Sequence, residues 1–183
     1  TAERHLARIL DALTTLAPHL DRSRVLTLDD PELFRYPILY LCEPGWWEPT
    51  EAEAAALRTF LLKGGFLIID DFSGRDWENF EEQMRRVLPD GRLLPLDGSE
   101  PVFHSFFDID LATLVLPSYR GAEPRFYGIF EGNDRTRRLM VMVNYDTDLG
   151  EFWEYSETGL VPVDLSNEAY KLGVNYIIYA LTH

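Results

Sequence analysis

The stretch of residues 64–72 constrains the fold more than any other part of the chain. It reads Gly-Gly-Phe-Leu-Ile-Ile-Asp-Asp-Phe, so an uninterrupted apolar run ends directly in two carboxylates. Residues 66–69 show no polar alternation, which is typical of a central parallel strand covered on both faces. Ligands of open α/β sheets bind beyond the carboxyl ends of such strands. The sequence therefore predicts a buried strand that ends at a candidate site, Asp70 and Asp71.

Alternating apolar patterns predict the other elements. Helices are expected at residues 3–17, from Thr50 to a C-cap at Gly64, at 79–87, and from an N-cap at Asn167 onward. Strands are expected at residues 25–28, 38–41, 92–94, 126–130 and 139–145. Residues 97–125 are expected to form long excursions with short elements. This order predicts a three-layer α/β/α sandwich with a mostly parallel, amidotransferase-like or flavodoxin-like sheet. The turn-rich residues 131–134 predict that the last two strands form an antiparallel hairpin.

Length and charge bound the class of protein. A chain of 183 residues, 46% apolar and 13% aromatic, is long enough for a single globular domain and excludes a disordered or fibrous protein. The 31 acidic residues exceed the 17 basic ones, and a net charge of -14 argues against binding to nucleic acid or to an anionic membrane. Apolar runs are shorter than the roughly 18 residues of a membrane helix, so no direct membrane insertion is expected. We expect the partner to be either a protein, which the sequence does not identify, or a carbohydrate-like ligand.

The lone Cys42 excludes an internal disulfide and a cysteine-built zinc site. It follows an apolar strand, where α/β-hydrolases and amidotransferases place a nucleophile. A nucleophile elbow needs flanking glycines and an immediate helix, whereas Leu41 and Glu43 flank Cys42 and the next helix waits until Thr50. We therefore predict an inert thiol and a protein that is not an enzyme. Phosphate-binding glycine motifs are missing too, so no nucleotide cofactor is expected.

Asp70 and Asp71 could bind a metal, a polyol or a basic group, or share a proton. The alternative is that both carboxylates cap the loop and helix that follow them. His104 lies among Phe103, Phe106 and Phe107 and could act as a base if it faced the two carboxylates. The alternative for His104 is a hydrogen-bonded packing role.

Asn144, Asp146 and Asp148 are spaced by two, as are the first ligands of a calcium loop. The match fails further on, because the glycine is Gly150 rather than the sixth residue and the twelfth residue is Tyr155 rather than glutamate. Calcium or magnesium binding and a solvated turn are the two alternatives for these side chains.

Four tryptophans fall in predicted loops or element ends, where they could stack on sugar rings or contact a partner. Packing of each ring under its loop is the alternative. Together with the acidic side chains nearby, these positions predict a ligand-binding surface. The tryptophans are Trp46, Trp47, Trp77 and Trp153, and the predicted ligand-binding residues are Asp70, Asp71, Glu43, Trp46, Trp47 and His104.

Four segments together resemble the bacterial domain of unknown function 4159: Tyr-Pro-Ile-Leu-Tyr-Leu at residues 36–41, the run at 64–71, His-Ser-Phe-Phe at 104–107, and residues 173–182. The resemblance spans nearly the whole chain and implies a class I glutamine amidotransferase-like fold, related to trehalose-utilisation domains, without an established activity. It implies a shared pattern at Asp70, Asp71 and His104. The family's Gly-His-Gly loop is replaced here by Glu43-Pro44-Gly45, so a role for that histidine does not carry over.

The resemblance also implies an exported or periplasmic protein. Because the sequence begins at Thr1, we expect a leader, and with it a first strand, to precede residues 1–183. Two functional hypotheses follow. The first is a non-catalytic ligand-binding or protein-interaction domain on an amidotransferase-like fold. The second is a hydrolase that uses Asp70, Asp71 and His104, with a divalent metal held by Asp146 or Asp148.

Overall fold

One five-stranded sheet with five α-helices around it forms the fold in the computed structural model, which describes residues 1–20, 24–118, 121 and 123–183. The strands are β1 (Ile38–Cys42), β2 (Phe66–Asp70), β3 (Leu94–Pro95), β4 (Arg125–Phe130) and β5 (Leu139–Tyr145). The helices are α1 (Ala2–Leu13), α2 (Glu51–Leu62), α3 (Asp76–Val87), α4 (Leu149–Glu154) and α5 (Val163–Thr182). Within the described residues, no helix is long and apolar enough to cross a lipid bilayer.

The strand order across the sheet is β1-β2-β5-β4-β3. β1 and β5 both pair with β2 in parallel, whereas β4 runs antiparallel to β5 and to β3. Four of the five strands therefore point the same way, which confirms the predicted mostly parallel sheet and the late hairpin. All five residues of β2 are buried, as the unbroken apolar run predicts for a central strand.

The two faces of the sheet carry separate hydrophobic cores, because successive side chains of a strand point to opposite faces. Phe66 and Ile68 of β2 pack with α1, α4 and α5. Leu67 and Ile69 pack with α2 and α3. We call these two sides the α5 face and the α2 face.

Local sequence signals place the start of α2 where it is predicted and its C-cap one residue earlier. Thr50 and Glu53 form a capping box, in which the Thr50 hydroxyl accepts from the Glu53 N–H and the Glu53 carboxylate accepts from the Thr50 N–H. The helix ends at Leu62 and its C-cap is Lys63, one residue before the predicted C-cap Gly64, which follows in the left-handed region with φ 110°. Glycine is the residue that takes this conformation without strain, so β2 can begin two residues later.

Several predicted element bounds are wrong. Residues 25–28 are not a strand: Val25 is 96% exposed, and Leu26 and Leu28 pack against the α2-face core without pairing to a described strand. α1 ends at Leu13 instead of residue 17, because Thr14 takes an extended conformation and its hydroxyl donates to the Leu10 carbonyl. α5 begins at Val163 after Pro162, so Asn167 lies inside the helix and is not its cap.

The stretch of residues 97–125 contains one short 3-10 segment, Pro101–Phe103, and several turns before β4 begins at Arg125. This agrees with the prediction of long excursions, although residues 119, 120 and 122 lie outside the described residues. The excursion connects β3, at the edge of the sheet, to the neighbouring strand β4. It lies between β2 and β5 in sequence, although these two strands are adjacent in space.

Candidate functional site

The carboxyl ends of the three parallel strands meet at one edge of the sheet. β1, β2 and β5 end at Cys42, Asp70 and Tyr145. The next residue in each case, Glu43, Asp71 or Asp146, is a non-glycine residue in the left-handed region, with φ values of 52°, 61° and 65°. Such a residue stores backbone strain, and strained residues concentrate at functional sites. The three turns at this edge therefore form a candidate site.

Backbone hydrogen bonds join these turns to one another. The Glu43 N–H donates to the Asp70 carbonyl at 3.3 Å, and the Asp146 N–H donates to the Phe72 carbonyl at 2.9 Å. The ladder of the sheet thus continues past the strand ends. The strained turns are held in fixed positions relative to each other.

The Asp70 side chain links β2 to β1 and α4. Its Oδ2 accepts hydrogen bonds from the Tyr40 hydroxyl at 2.6 Å, from the Leu149 N–H at 2.9 Å and from the Gly150 N–H at 3.1 Å. The two N–H groups belong to the first turn of α4, where backbone donors lack partners within the helix. Asp70 therefore caps a helix about 80 residues further along the chain, not the loop and helix that follow it directly.

Burial raises the pKa of Asp70 to about 7, the Tyr40 hydroxyl opposes this, and the negative charge of Asp148 adds to it. Asn144 also lowers the pKa, although the structure shows no hydrogen bond of ordinary geometry between the two side chains. Desolvation of the Tyr40 hydroxyl, reinforced by the charge of Asp70, raises the pKa of that tyrosine. Tyr40 therefore keeps its proton at neutral pH and remains a donor to Asp70.

Gly150 makes room for this hydrogen bond. A Cβ atom at residue 150 would lie 2.7 Å from the Tyr40 hydroxyl oxygen, far inside contact distance. The Tyr40 ring in turn lies against Trp153 of α4, with ring centroids 5.8 Å apart and an angle of 49° between the planes. Tyr40, Gly150 and Trp153 thus form one continuous wall, and the buried Asp70 holds it from behind.

A cavity of about 630 Å³ opens against this wall, on the α5 face of the sheet. Its floor is apolar and comes from α1, β1, β2 and α5, with Leu10, Ile38, Ile68 and Ile177 among its residues. Its rim is acidic and aromatic. The rim residues nearest the strand ends are Tyr40, Cys42, Asp71, Asp148, Gly150 and Trp153.

Cys42 lies at the cavity rim, at the end of β1. Burial raises the pKa of its thiol, and the charges of Asp71 and Glu43 raise it further. The thiol is therefore protonated at neutral pH, whereas the thiolate is the nucleophilic form. The left-handed residue of this turn is Glu43, so Cys42 does not occupy the strained position of a nucleophile elbow.

The three side chains of the predicted calcium loop have different surroundings. The Asn144 Oδ1 accepts from the Tyr176 hydroxyl at 2.8 Å, in the buried layer under α5. The Asp148 Oδ1 caps α4 by accepting from the Glu151 N–H at 2.8 Å, while Asp146 is 4% exposed. Across the part of the chain that the structure describes, no group of three or more His, Cys, Asp or Glu residues is arranged to hold a metal ion. Calcium or magnesium binding stays a prediction.

The structure places the predicted Trp46–Trp47 loop on the α2 face, away from the cavity. Asn79 of α3 holds it by donating to the carbonyls of Pro44 and Trp47, at 2.8 and 2.9 Å. Trp46 is 89% exposed, and Trp47 packs partly against the α2-face core. The other two tryptophans are packing residues, Trp153 in the cavity wall and Trp77 against an aromatic cluster that includes Phe72, Phe80, Tyr127 and Tyr145.

His104 has both ring nitrogens in use within its own segment. One nitrogen contacts the Gly98 carbonyl oxygen at 2.7 Å, and the other contacts the Asp108 Oδ1 at 2.5 Å. These two contacts raise the pKa of His104, the carbonyl more than the carboxylate. They favour the imidazolium form, which cannot accept a proton.

Of the residues predicted to bind a ligand, Asp71 lines the cavity and Asp70 supports its wall from below. Sequence reasoning missed Tyr40 and Gly150. The only signal was that Tyr40 interrupts an otherwise apolar strand, Ile-Leu-Tyr-Leu. Nothing local could pair it with a carboxylate 30 residues away.

The sheet, the helices on both of its faces and the cavity at its carboxyl edge define an open-sheet α/β domain. The family model for the domain of unknown function DUF4159 matches residues 1–181, so the chain belongs to that family. A comparison with curated proteins gives no significant match.

Proposed function

We propose that this domain binds a small molecule in the cavity at the carboxyl edge of its sheet and carries out no reaction on it. The observation that carries the proposal is the cavity itself, about 630 Å³ in volume, with an apolar floor and a rim of aromatic and acidic side chains. Binding sites for small molecules have volumes of this order, are mostly apolar, and carry a few polar groups that fix orientation.

The wall of the cavity is organised before any ligand arrives. The Asp70 carboxylate holds the Tyr40 ring on one side and the first turn of α4 on the other. A site that is already ordered loses less conformational entropy on binding. This supports a binding function even for a ligand that makes few polar contacts.

The fold we propose is an amidotransferase-like three-layer sandwich. It is supported by the parallel order β1-β2-β5, by helices packed against both faces, and by the position of the cavity. The protonated thiol of Cys42 and the left-handed Glu43 support a member of this fold that has no cysteine nucleophile. Export from the cytoplasm remains a proposal that rests on the family resemblance alone.

A hydrolase remains the second candidate, and one observation favours it. A carboxyl group with a pKa of about 7 can both donate and accept a proton at neutral pH, which suits a general acid or base. The two contacts that raise the pKa of His104 count against the version that uses His104 as the base. Turnover of a bound compound that Asp70→Asn abolishes while binding persists would favour the hydrolase.

Filling the cavity tests the binding proposal. Ala7 of α1 lines the cavity, so Ala7→Trp should place an indole in it without removing a hydrogen bond. Arg4→Trp is the matched control, because Arg4 is exposed on the same helix and does not line the cavity. We expect fragments that bind the unmodified domain in ligand-observed NMR to be lost with Ala7→Trp and kept with Arg4→Trp. Retention of every fragment by Ala7→Trp would contradict the proposal.

A further inference from the structure

We propose that the ligand of this cavity is an organic cation, an ammonium or guanidinium group carried on an apolar body. This inference rests on the proposed binding function and names the chemical class of its ligand. It draws on the charges at the rim, on the aromatic rings beside them, and on the apolar floor below.

The described residues that line the cavity include five acidic side chains. Glu3, Asp71, Asp148, Glu151 and Glu154 line it, and no Lys, Arg or His side chain is among its described lining residues. A negative, partly enclosed surface raises the local concentration of cations and repels anions.

Aromatic rings supply a second attraction for the same kind of ligand. Tyr40 and Tyr155 line the cavity, and each is 37% exposed. Trp153, only 2% exposed, packs against the Tyr40 ring with centroids 5.8 Å apart and holds that ring in place. The face of an aromatic ring attracts an ammonium or guanidinium group, and rings combined with carboxylates are a common arrangement for organic cations. Rings alone would accept any flat apolar group, so the carboxylates supply the preference for charge.

An unsatisfied buried oxygen lies directly behind this wall. Asp70 is fully buried, and its Oδ1 has no hydrogen-bond partner among the described residues although Oδ2 accepts three. Asp148 at the cavity rim makes the surroundings of Asp70 more negative. A positive charge in the cavity would reduce that unfavourable interaction, whereas a neutral ligand would not.

The same lining disfavours a bare divalent ion as the occupant. Hard cations such as calcium need six or more oxygen ligands around one point. The described part of the chain holds no group of three acidic, histidine or cysteine side chains placed to ligate one ion, and much of the cavity is apolar. Leu10, Ile38, Ile68 and Ile177 can instead cover the hydrocarbon part of an organic cation.

Three probes of matched shape separate charge from apolar contact. They are 4-phenylbutylamine, which is a cation at pH 7, the neutral 4-phenylbutanol, and the anionic 4-phenylbutyrate. Titration followed by calorimetry or NMR should show the amine binding at least about tenfold more tightly than the alcohol, with no binding of the acid. The preference for the amine should shrink as salt is raised, because salt screens the rim charges.

One double variant and a matched control test whether the preference for charge comes from the rim of the cavity. Glu151→Gln with Glu154→Gln removes two lining charges from α4 and keeps the shape of both side chains. We expect this pair to weaken binding of the amine by about tenfold and to leave the alcohol unchanged. Glu157→Gln, a nearby acid that does not line the cavity, should change neither affinity.

The ring contribution is tested at Tyr155, which is 37% exposed and can change without opening the core. Tyr155→Leu should weaken the amine by about threefold more than it weakens the alcohol, while Tyr155→Phe should leave both close to their original affinities. If Tyr155→Leu weakens the amine and the alcohol equally, Tyr155 makes only apolar contact, which would contradict its proposed attraction for the cation.

Failure of this inference is distinguishable from failure of the proposed function. If the alcohol binds as tightly as the amine, and Ala7→Trp abolishes both, the cavity binds ligands but does not select a cation. If none of the three probes binds while other fragments remain sensitive to Ala7→Trp, the cation inference is likewise wrong. If no compound responds to Ala7→Trp, the binding function itself is contradicted.

Discussion

At the scale of single residues, Asp70 and Asp71 are adjacent in the chain but have different roles in the structure. The Oδ2 of Asp70 accepts three hydrogen bonds in a buried layer, whereas Asp71 lies at the cavity rim with a left-handed backbone. The pattern of two carboxylates at a strand end predicted a candidate site at this edge of the sheet. It did not reveal that one carboxylate is structural and the other faces the cavity, because that depends on α4.

This difference predicts unequal effects of the same substitution. At pH 5.5, Asp70→Asn should destabilise the domain by about 1–3 kcal/mol, because the amide N–H groups of asparagine would face a buried space without acceptors. Asp71→Asn should change the free energy of unfolding by less than about 0.5 kcal/mol, since asparagine tolerates a left-handed backbone. Urea denaturation of both variants measures this. Equal effects would contradict the assignment of the structural role to Asp70.

The pH dependence of stability provides a second residue-scale prediction. The folded-state pKa of Asp70 is about 7, against an ordinary value of 3.8, so the folded protein binds the proton more tightly. Its stabilising contribution is therefore complete below about pH 4 and is lost as the pH rises to about 7. The full shift corresponds to roughly 4 kcal/mol, an order-of-magnitude value.

Because Asp70→Asn removes this titration, the stability difference between the unmodified domain and the variant should be largest near pH 5 and should shrink by pH 8. Other groups contribute equally to both proteins and cancel in the difference. The measurement is a series of denaturation curves from pH 5 to pH 8. A difference that grows with pH would mean that the pKa of Asp70 is lowered, contrary to this account.

At the scale of elements, the contact between α4 and β1 depends on a residue without a side chain. Gly150→Ala would place a Cβ atom 2.7 Å from the Tyr40 hydroxyl oxygen. We expect a loss of about 1–3 kcal/mol, because the tyrosine must leave Asp70 or α4 must move. In a Tyr40→Phe background the hydroxyl is already gone, so the same change should cost less.

A double-mutant cycle with Tyr40→Phe and Gly150→Ala measures this coupling by denaturation. Glu151→Ala, on the exposed side of the same helix turn, is the control and should not couple to Tyr40→Phe. Strict additivity of Tyr40→Phe and Gly150→Ala would show that the two residues do not share one contact.

Elements differ in how well the sequence predicts them, and the reason is the range of the interactions that form them. The capping box of α2, the buried run of β2 and the turn between β4 and β5 depend on neighbours in the chain, and all three were predicted. Residues 25–28 show the same local pattern as a strand but have no neighbouring strand to pair with. The start of α5 was missed because its N-cap is Pro162, which has no side chain that could cap the helix and so gives no sequence signal.

At the scale of the whole molecule, the sheet separates the predicted site residues into two groups. Asp70, Asp71 and the cavity belong to the α5 face, while the Trp46–Trp47 loop is held to α3 on the α2 face. The sequence grouped the tryptophans with Asp70 and Asp71 because all of them fall in predicted loops or element ends. Their separation follows from the side of the sheet to which each turn is fastened, and that depends on contacts between residues distant in the chain.

The central claim is that the cavity beside Tyr40 and Trp153 is the binding site. A crystal structure of the domain with its tightest-binding fragment tests this most directly. We predict that the fragment lies in the cavity between α1 and α4, with its polar group near Asp71 or Asp148. A fragment found instead on the other side of the sheet, against Trp46, with the cavity containing only solvent, would contradict the claim.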